Sequence, residues 1–306
     1  MDTGYRMPCY HPLRAWKSRD GGKPVFRREA GWRDKPMQLP CGRCIGCRLD
    51  RSRQWAVRMV HESQMHEENM FLTLTYDEEH LPKDRSLNKK HFQDFMKRYR
   101  ASISPKKIKF YHCGEYGENY SRPHYHAIIF GDWFDDTVRF KSGDGFDYYI
   151  SEHLRSLWPM GHHLIGTVSF ESCAYVSRYV TKKLDGDRKD DYYFCDEETG
   201  EVFPVLPEYS TQSNGIGLSW LKKFKTDVWS GRDDDFVVMS NGVTAKPPRY
   251  YYEKLREEDK QSAKRVKGRR FTVARENAFD NTPERLAVKE EVTLAQFSLK
   301  ERRYEK

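Results

Sequence analysis

The run SRPHYHAIIFGD, residues 121–132, sets His124 and His126 one residue apart in a β-prone stretch. Alternate residues of a strand project to one face, so both imidazoles can reach a single small ion. Two nitrogens do not fill a coordination sphere. The preceding run KIKFYHCGEYG, residues 107–117, reads as a strand carrying Glu115, and a hairpin would bring that carboxylate alongside. Two imidazoles and a carboxylate with open positions suit a divalent cation such as Mg or Mn, and also Zn or Fe. The same pattern fits half-buried strand histidines satisfied by backbone or water, and the spacing alone leaves both readings open.

A second set lies on ESCAYVSRYVTKKL, residues 171–184. Tyr175 and Tyr179 share one face of the helix this run predicts. On a helical wheel Lys182 falls within about 60° of both and Lys183 sits beside Tyr179, while Val176, Val180 and Leu184 form the neighbouring apolar arc. A free phenol, with a pKa of about 10, is a weak nucleophile at neutral pH. Nearby cations that stabilise the phenolate, and a metal that polarises a phosphate, would make it reactive. Read alone, the helix is explained as well by an aromatic pair packed on a sheet.

The third set is Cys41, Cys44 and Cys47, whose C-x-x-C-x-x-C spacing lets thiolates converge on one metal. Cys9 is the first choice of fourth ligand and His11 the next. Structural zinc is preferred; an iron–sulfur cluster and unligated thiols remain the alternatives. Cys113, Cys173 and Cys195 are isolated and read as packed side chains. Seven cysteines with this clustering argue against a disulfide framework and for a reducing compartment. A cytidine-deaminase zinc site is excluded, because no H-x-E is followed by P-C-x-x-C.

These residues need a scaffold. MFLTLTYD (70–77) reads as a strand with Leu72, Leu74 and Tyr76 on one face and Phe71, Thr73 and Thr75 on the other. Helices are predicted over Leu49–His66 and, capped by Asn88, over KKHFQDFMKRYR. Strand HYHAIIF follows the turn ENYSRP, a helix is expected over DGFDYYISEHLRSLWP, and HHLIGTVSF is a further strand. The order β-α-β-β-α-β-α matches an α+β, ferredoxin-like antiparallel sheet with helices on one face. Residues 1–40 read as a loop-rich arm. Beyond Leu184 come an exposed insertion or hairpin, a short helix in GLSWLKKFKTDVW, an Asn-Gly hairpin and a charged helical end. The expected division is a Cys-rich arm and helix over 1–68, a core over 69–184 and an extension over 185–306.

Of 306 residues, 54 are Lys or Arg and 46 Asp or Glu, so the chain carries +8, with a pI of about 9.0 and a mean hydropathy of −0.92. That balance suits a polyanionic partner. The longest apolar runs, such as AIIF, are too short to cross a bilayer, and MDTGYRMPCY does not read as a secretory signal.

Together, FLTLTYD, GEYGENYSRPHYHAIIFG and YVSRYVTKK resemble, in order and spacing, the HUH-type single-strand DNA nucleases. With PCGRCIGCRLDRSRQW the chain is similar to the rolling-circle replication initiators of gokushovirus-type microviruses, over about residues 41–184. The resemblance implies that Glu115, His124 and His126 bind the catalytic metal and that Tyr175 and Tyr179 are paired nucleophiles followed by Lys182 and Lys183. It further implies Mg- or Mn-dependent nicking of single-stranded DNA at an origin through a 5′-phosphotyrosine link, later rejoined. Host replication machinery is the expected partner and the cytoplasm of a bacterial host the expected location. Relaxases and single-strand transposases use the same chemistry; a zinc-stabilised binding protein without catalysis is the alternative of another class.

Overall fold

A computed structural model describes residues 9–117, 122–143, 146–182, 193–195, 200–230, 235–239 and 242–304, without the side chains of 179–182 and 299–304. Its strands and helices, in chain order, are β1 (Leu13–Ser18), β2 (Gly31–Leu39), α1 (Ile45–Ser63), β3 (Asn69–Thr75), α2 (Lys89–Ser102), β4 (Lys109–Tyr116) and β5 (Pro123–Phe130). There follow β6 (Val138–Gly143), β7 (Phe146–Ile150), α3 (Glu152–Leu157), β8 (His163–Thr167), α4 (Phe170–Lys182), β9 (Tyr193–Cys195), β10 (Val202–Pro204) and β11 (Tyr209–Gln212). The last are α5 (Leu218–Val228), β12 (Val237–Val238), β13 (Thr244–Ala245), α6 (Arg249–Glu258), α7 (Lys260–Glu276) and α8 (Pro283–Tyr304). The chain packs as two compact units, residues 52–254 and residues 1–51 with 255–306.

The larger unit is built on a seven-stranded antiparallel sheet in the order β11-β4-β5-β3-β8-β7-β6. The α+β class expected from the sequence is therefore present. Period-two alternation divides the strands between two cores. Leu72 and Leu74 of β3 and Tyr125, Ala127 and Ile129 of β5 face α2 and α3, where Phe92, Phe95, Met96 and Tyr99 form the buried stripe of α2. Asn88 begins α2 as expected, its side chain accepting a hydrogen bond from the Lys90 amide, a cap that contributes about 1 kcal/mol.

The expectation of helices on one face only is corrected. Ile128 and Phe130, which share the histidine face of β5, are as buried as their neighbours and are covered by α1, α4 and α5. An apolar sheet face left in water would be costly, and both faces here are apolar.

Two further expectations change. DGFDYYISEHLRSLWP is a strand and then a helix: Tyr148 to Ile150 pair with β6, and α3 starts only where Ser151 Oγ caps the Leu154 amide. Residues 1–40 are more than a loop-rich arm, since β1 and β2 pair from Leu13↔Leu39 to Ser18↔Gly31 and bury Ala15 and Trp16. A Cβ on Gly31 would meet Trp16 Cβ at 2.6 Å, so only glycine lets these strands close. The short helix α5 and the β12–β13 hairpin fall where expected.

Candidate active site and cysteine cluster

The β4–β5 hairpin places Glu115 directly opposite His124, and Cys113 opposite His126. On the other side of β5, Thr73 pairs with His126 and Thr75 with His124. Alternation then brings Glu115, His124, His126 and Thr73 to one sheet face, the face on which α4 lies.

Glu115 and His126 are both buried and meet directly: His126 Nε2 lies 2.6 Å from Glu115 Oε1. A carboxylate only accepts, so Nε2 donates, and the Thr73 hydroxyl, 3.0 Å from Nδ1, closes the other side of the ring. That hydroxyl can donate or accept, so His126 can change tautomer and free Nε2 for a metal without losing a partner. His124 Nδ1 donates to the Arg122 carbonyl at 2.6 Å, which leaves the Nε2 lone pair available. Burial, and next the neighbouring His126, hold the His124 pKa below the usual imidazole value, keeping the ring neutral.

Gly117 shapes this corner. Its amide donates to the same Arg122 carbonyl at 2.9 Å, and a Cβ there would stand 2.8 Å from His124 Cε1.

Helix α4 buries Cys173 and Val176 and turns the half-buried Tyr175 toward the sheet. The Tyr175 hydroxyl donates to Glu115 Oε1 at 3.3 Å. Its ring stands edge-on to His126, with centroids 5.3 Å apart, and edge-on to Phe71. Three of the expected site residues, Glu115, His126 and Tyr175, are thus brought together. His124 stands beside them, its ring parallel to that of His126 with centroids 6.4 Å apart. The side chains of Tyr179 and Lys182, and Lys183 entirely, lie outside the described residues.

Sequence reasoning missed Arg178. Its guanidinium carbon lies 5.5 Å from the centre of the Tyr175 ring, one helical turn on. The i, i+3 spacing was the available signal, but a single arginine between two tyrosines carries no mark of which ring it covers.

In the smaller unit Cys9, Cys41, Cys44 and Cys47 form, among the described residues, the one group of three or more metal-ligating side chains whose donor atoms all lie within 4.8 Å of one another. Cys9 is fully buried and His11 instead pairs with Glu290 at 2.7 Å, so the first choice of fourth ligand is the one the fold supplies. Backbone amides of Tyr10, Cys41 and Cys44 point at cluster sulfurs from 3.2 to 3.3 Å. Such donors stabilise thiolate charge: burial pushes the Cys41 thiol up, but the Cys44 and Arg43 amides outweigh it and bring it to about 7. The cluster can hold a metal ion. Of the isolated cysteines, Cys113 and Cys173 are packed as expected, whereas Cys195 is exposed.

A protein-family model described as replication-associated protein ORF2 matches residues 69–184, the segment that carries every element of the histidine–tyrosine site. The replication-associated protein VP4 of Bdellovibrio phage phiMH2K is 33% identical over 255 residues, covering 80% of this chain and 76% of that protein. The chain belongs to the phage replication-associated proteins, the microvirus-type replication initiators. The replication-associated protein ORF2 of Spiroplasma virus 4 is 28% identical over 89% of this initiator and 88% of its own length. The replication-associated protein ORF4 of Chlamydia phage 1 is 32% identical over 71% of this chain and 53% of its own. No solved structure matches the initiator. Among its described residues no helix is long and apolar enough to cross a membrane.

Proposed function

We propose that this initiator nicks single-stranded DNA at a replication origin by tyrosine transesterification in residues 69–184. The reading is carried by the Tyr175 hydroxyl, hydrogen-bonded to a buried carboxylate that also bonds His126. A bond forms between Tyr175 Oη and phosphorus while the bond from phosphorus to the 3′ oxygen breaks. The phenol proton is passed on and the leaving oxygen takes up a proton, so a 3′-OH and a 5′-phosphotyrosine result. Because the phosphodiester is exchanged and not hydrolysed, the 3′-OH can later attack the phosphotyrosine and rejoin the strand.

Glu115, His124 and His126 suit a divalent ion: one carboxylate and two imidazoles on one face, with His124 Nε2 left available. Mg or Mn bound there would orient the scissile phosphate and offset charge on its oxygens. Thr73 and the Arg122 carbonyl fix the two rings, Glu115 orients the phenol, and Arg178 favours the phenolate. Tyr179, one turn beyond Tyr175, is proposed as the second nucleophile, which cuts the regenerated origin while the first releases a circle. Lys182 and Lys183 are proposed to stabilise the phenolate or the leaving oxygen.

For the cysteine cluster the proposed ion is zinc. Tetrahedral zinc with bonds of about 2.3 Å sets its sulfurs about 3.8 Å apart, and Cys41 Sγ and Cys47 Sγ are 4.0 Å apart. An iron–sulfur cluster would have to fit several atoms between the same sulfurs. Host replication proteins are the proposed partners and the bacterial cytoplasm the proposed site of action.

The test is to incubate the protein with labelled single-stranded origin DNA and Mn or Mg and look for an adduct that survives denaturation. The wild type should form it and the double variant Tyr175→Phe/Tyr179→Phe should not. An adduct persisting in the double variant overturns the mechanism.

A further inference from the structure

Helix α7 concentrates charge. Its sequence KQSAKRVKGRRFTVARE holds seven Lys or Arg and one Glu, a net +6 where the whole chain carries +8. At about 100° per residue, Lys260, Lys264, Lys267, Phe271 and Arg275 fall within an arc of about 80°. All five are exposed, and Phe271, in the middle of the stripe, is 69% exposed. The opposite face buries Ala263 and Val266, so the helix is anchored by its apolar side and turns the cationic one to solvent.

Cations elsewhere on the surface are neutralised: Lys90 by Asp94, Arg249 by Glu253, and Arg285 and Lys289 by Asp280. Among the described residues, Lys260, Lys264, Lys267 and Arg275 form no ion pair. Unpaired like charges on one helix face repel one another, which a merely solubilising surface has no need to bear. A large exposed aromatic ring among them is equally out of place in water.

We infer that the Lys260–Lys264–Lys267–Phe271–Arg275 stripe is a docking site for single-stranded DNA, distinct in its residues from the Tyr175 site. The cations take successive phosphates along about 22 Å of helix, at a rise of about 1.5 Å per residue. Phe271 stacks on a base, and only an unpaired base offers its face to a side chain. That ring is what favours a single strand over a duplex or an acidic protein, for both of which the cations alone would serve. The site would hold template near the initiator whatever the chemistry at Tyr175.

The test uses the full chain, with no added Mg or Mn, and a fluorescent oligonucleotide lacking any origin. Anisotropy titrations at several salt concentrations compare wild type, Lys260→Glu/Lys264→Glu/Lys267→Glu and Phe271→Ala. The triple variant should bind at least about tenfold more weakly, with the slope of log affinity on log salt reduced by roughly 2. Phe271→Ala should lose about fivefold or more for the single strand, with slope unchanged and duplex binding unaffected. Wild-type affinity in either variant, or equal losses of Phe271→Ala on single strand and duplex, overturns the inference. If circular dichroism shows that charge reversal unfolds α7, the corresponding triple glutamine variant reads the same loss. Tyr175→Phe/Tyr179→Phe should retain this binding, so failure of the cleavage reading and failure of this one are distinguishable.

Discussion

Glu115 Oε1 accepts from two groups at once, His126 Nε2 at 2.6 Å and the Tyr175 phenol at 3.3 Å. One buried carboxylate oxygen therefore ties an imidazole of β5 to a hydroxyl of α4, elements separated in sequence by a hairpin, a helix and a strand. Glu115→Gln keeps the shape and removes the charge. Adduct formation should then need roughly 10- to 100-fold more Mn, the usual effect of weakening a metal site. A metal titration of adduct yield reads this, and an unchanged metal requirement would exclude Glu115 as a ligand.

Gly117 is needed for a reason that only the folded chain reveals. An added Cβ would press on the His124 ring, 2.8 Å from Cε1 and 3.2 Å from Nδ1, and push it off the Arg122 carbonyl. In Gly117→Ala we expect the thermal midpoint to change little while metal-dependent cleavage falls about a hundredfold, the scale of effect for a displaced catalytic group. Melting curves beside adduct kinetics check it. Equal cleavage rates would show that His124 needs no fixed orientation.

What could be read in advance follows the range of each interaction. Glu115, His124 and His126 are legible because a period of two and a single hairpin decide their placement. Tyr175 is legible because helical spacing does. The strand β11 is not, because its partner is β4, nearly a hundred residues earlier, where Tyr209 pairs with Gly114; nothing local in PEYSTQ announces that edge. The β6–β7 hairpin was hidden by its aromatic residues, which suit a helix face as well as a strand. Coverage of the histidine face was missed because it draws on α1 and α5, which flank the core in sequence.

His61 supplies a pH dependence. It is fully buried, stacked on Trp220 with centroids 3.5 Å apart, and bonded through Nδ1 to the Tyr251 hydroxyl at 2.9 Å. Burial drives its pKa down to about 3, against about 6.5 in an unfolded chain. Between those values the unfolded state takes up a proton that the folded state refuses, so stability rises with pH and is lost as pH falls below about 6.5. Going from pH 7 to pH 5 should cost about 2 kcal/mol through this one group. Urea unfolding at both pH values should show that loss in the wild type and a correspondingly smaller one in His61→Gln. The remainder has a contributor in His112, also buried and likewise depressed by burial. Equal losses in the two proteins would mean that His61 already escapes its site when protonated.

The cysteine cluster gives the most direct chemical assay. Four sulfurs gathered within 4.8 Å, with amides directed at them, form a site whose thiolates repel one another unless a cation sits between them. Binding energy at such a site is folding energy for the segment it closes. The protein should therefore retain about one zinc per chain after a wash with weak chelator, as structural zinc sites do. Cys47→Ser should lose the metal and melt at a lower temperature, whereas Cys195→Ser, altering an exposed thiol outside the cluster, should keep both metal and midpoint. Elemental analysis beside thermal melts distinguishes the outcomes. Iron with acid-labile sulfide would replace zinc by a cluster, and a metal-free wild type with an unshifted Cys47→Ser midpoint would leave the four thiols without a ligand role.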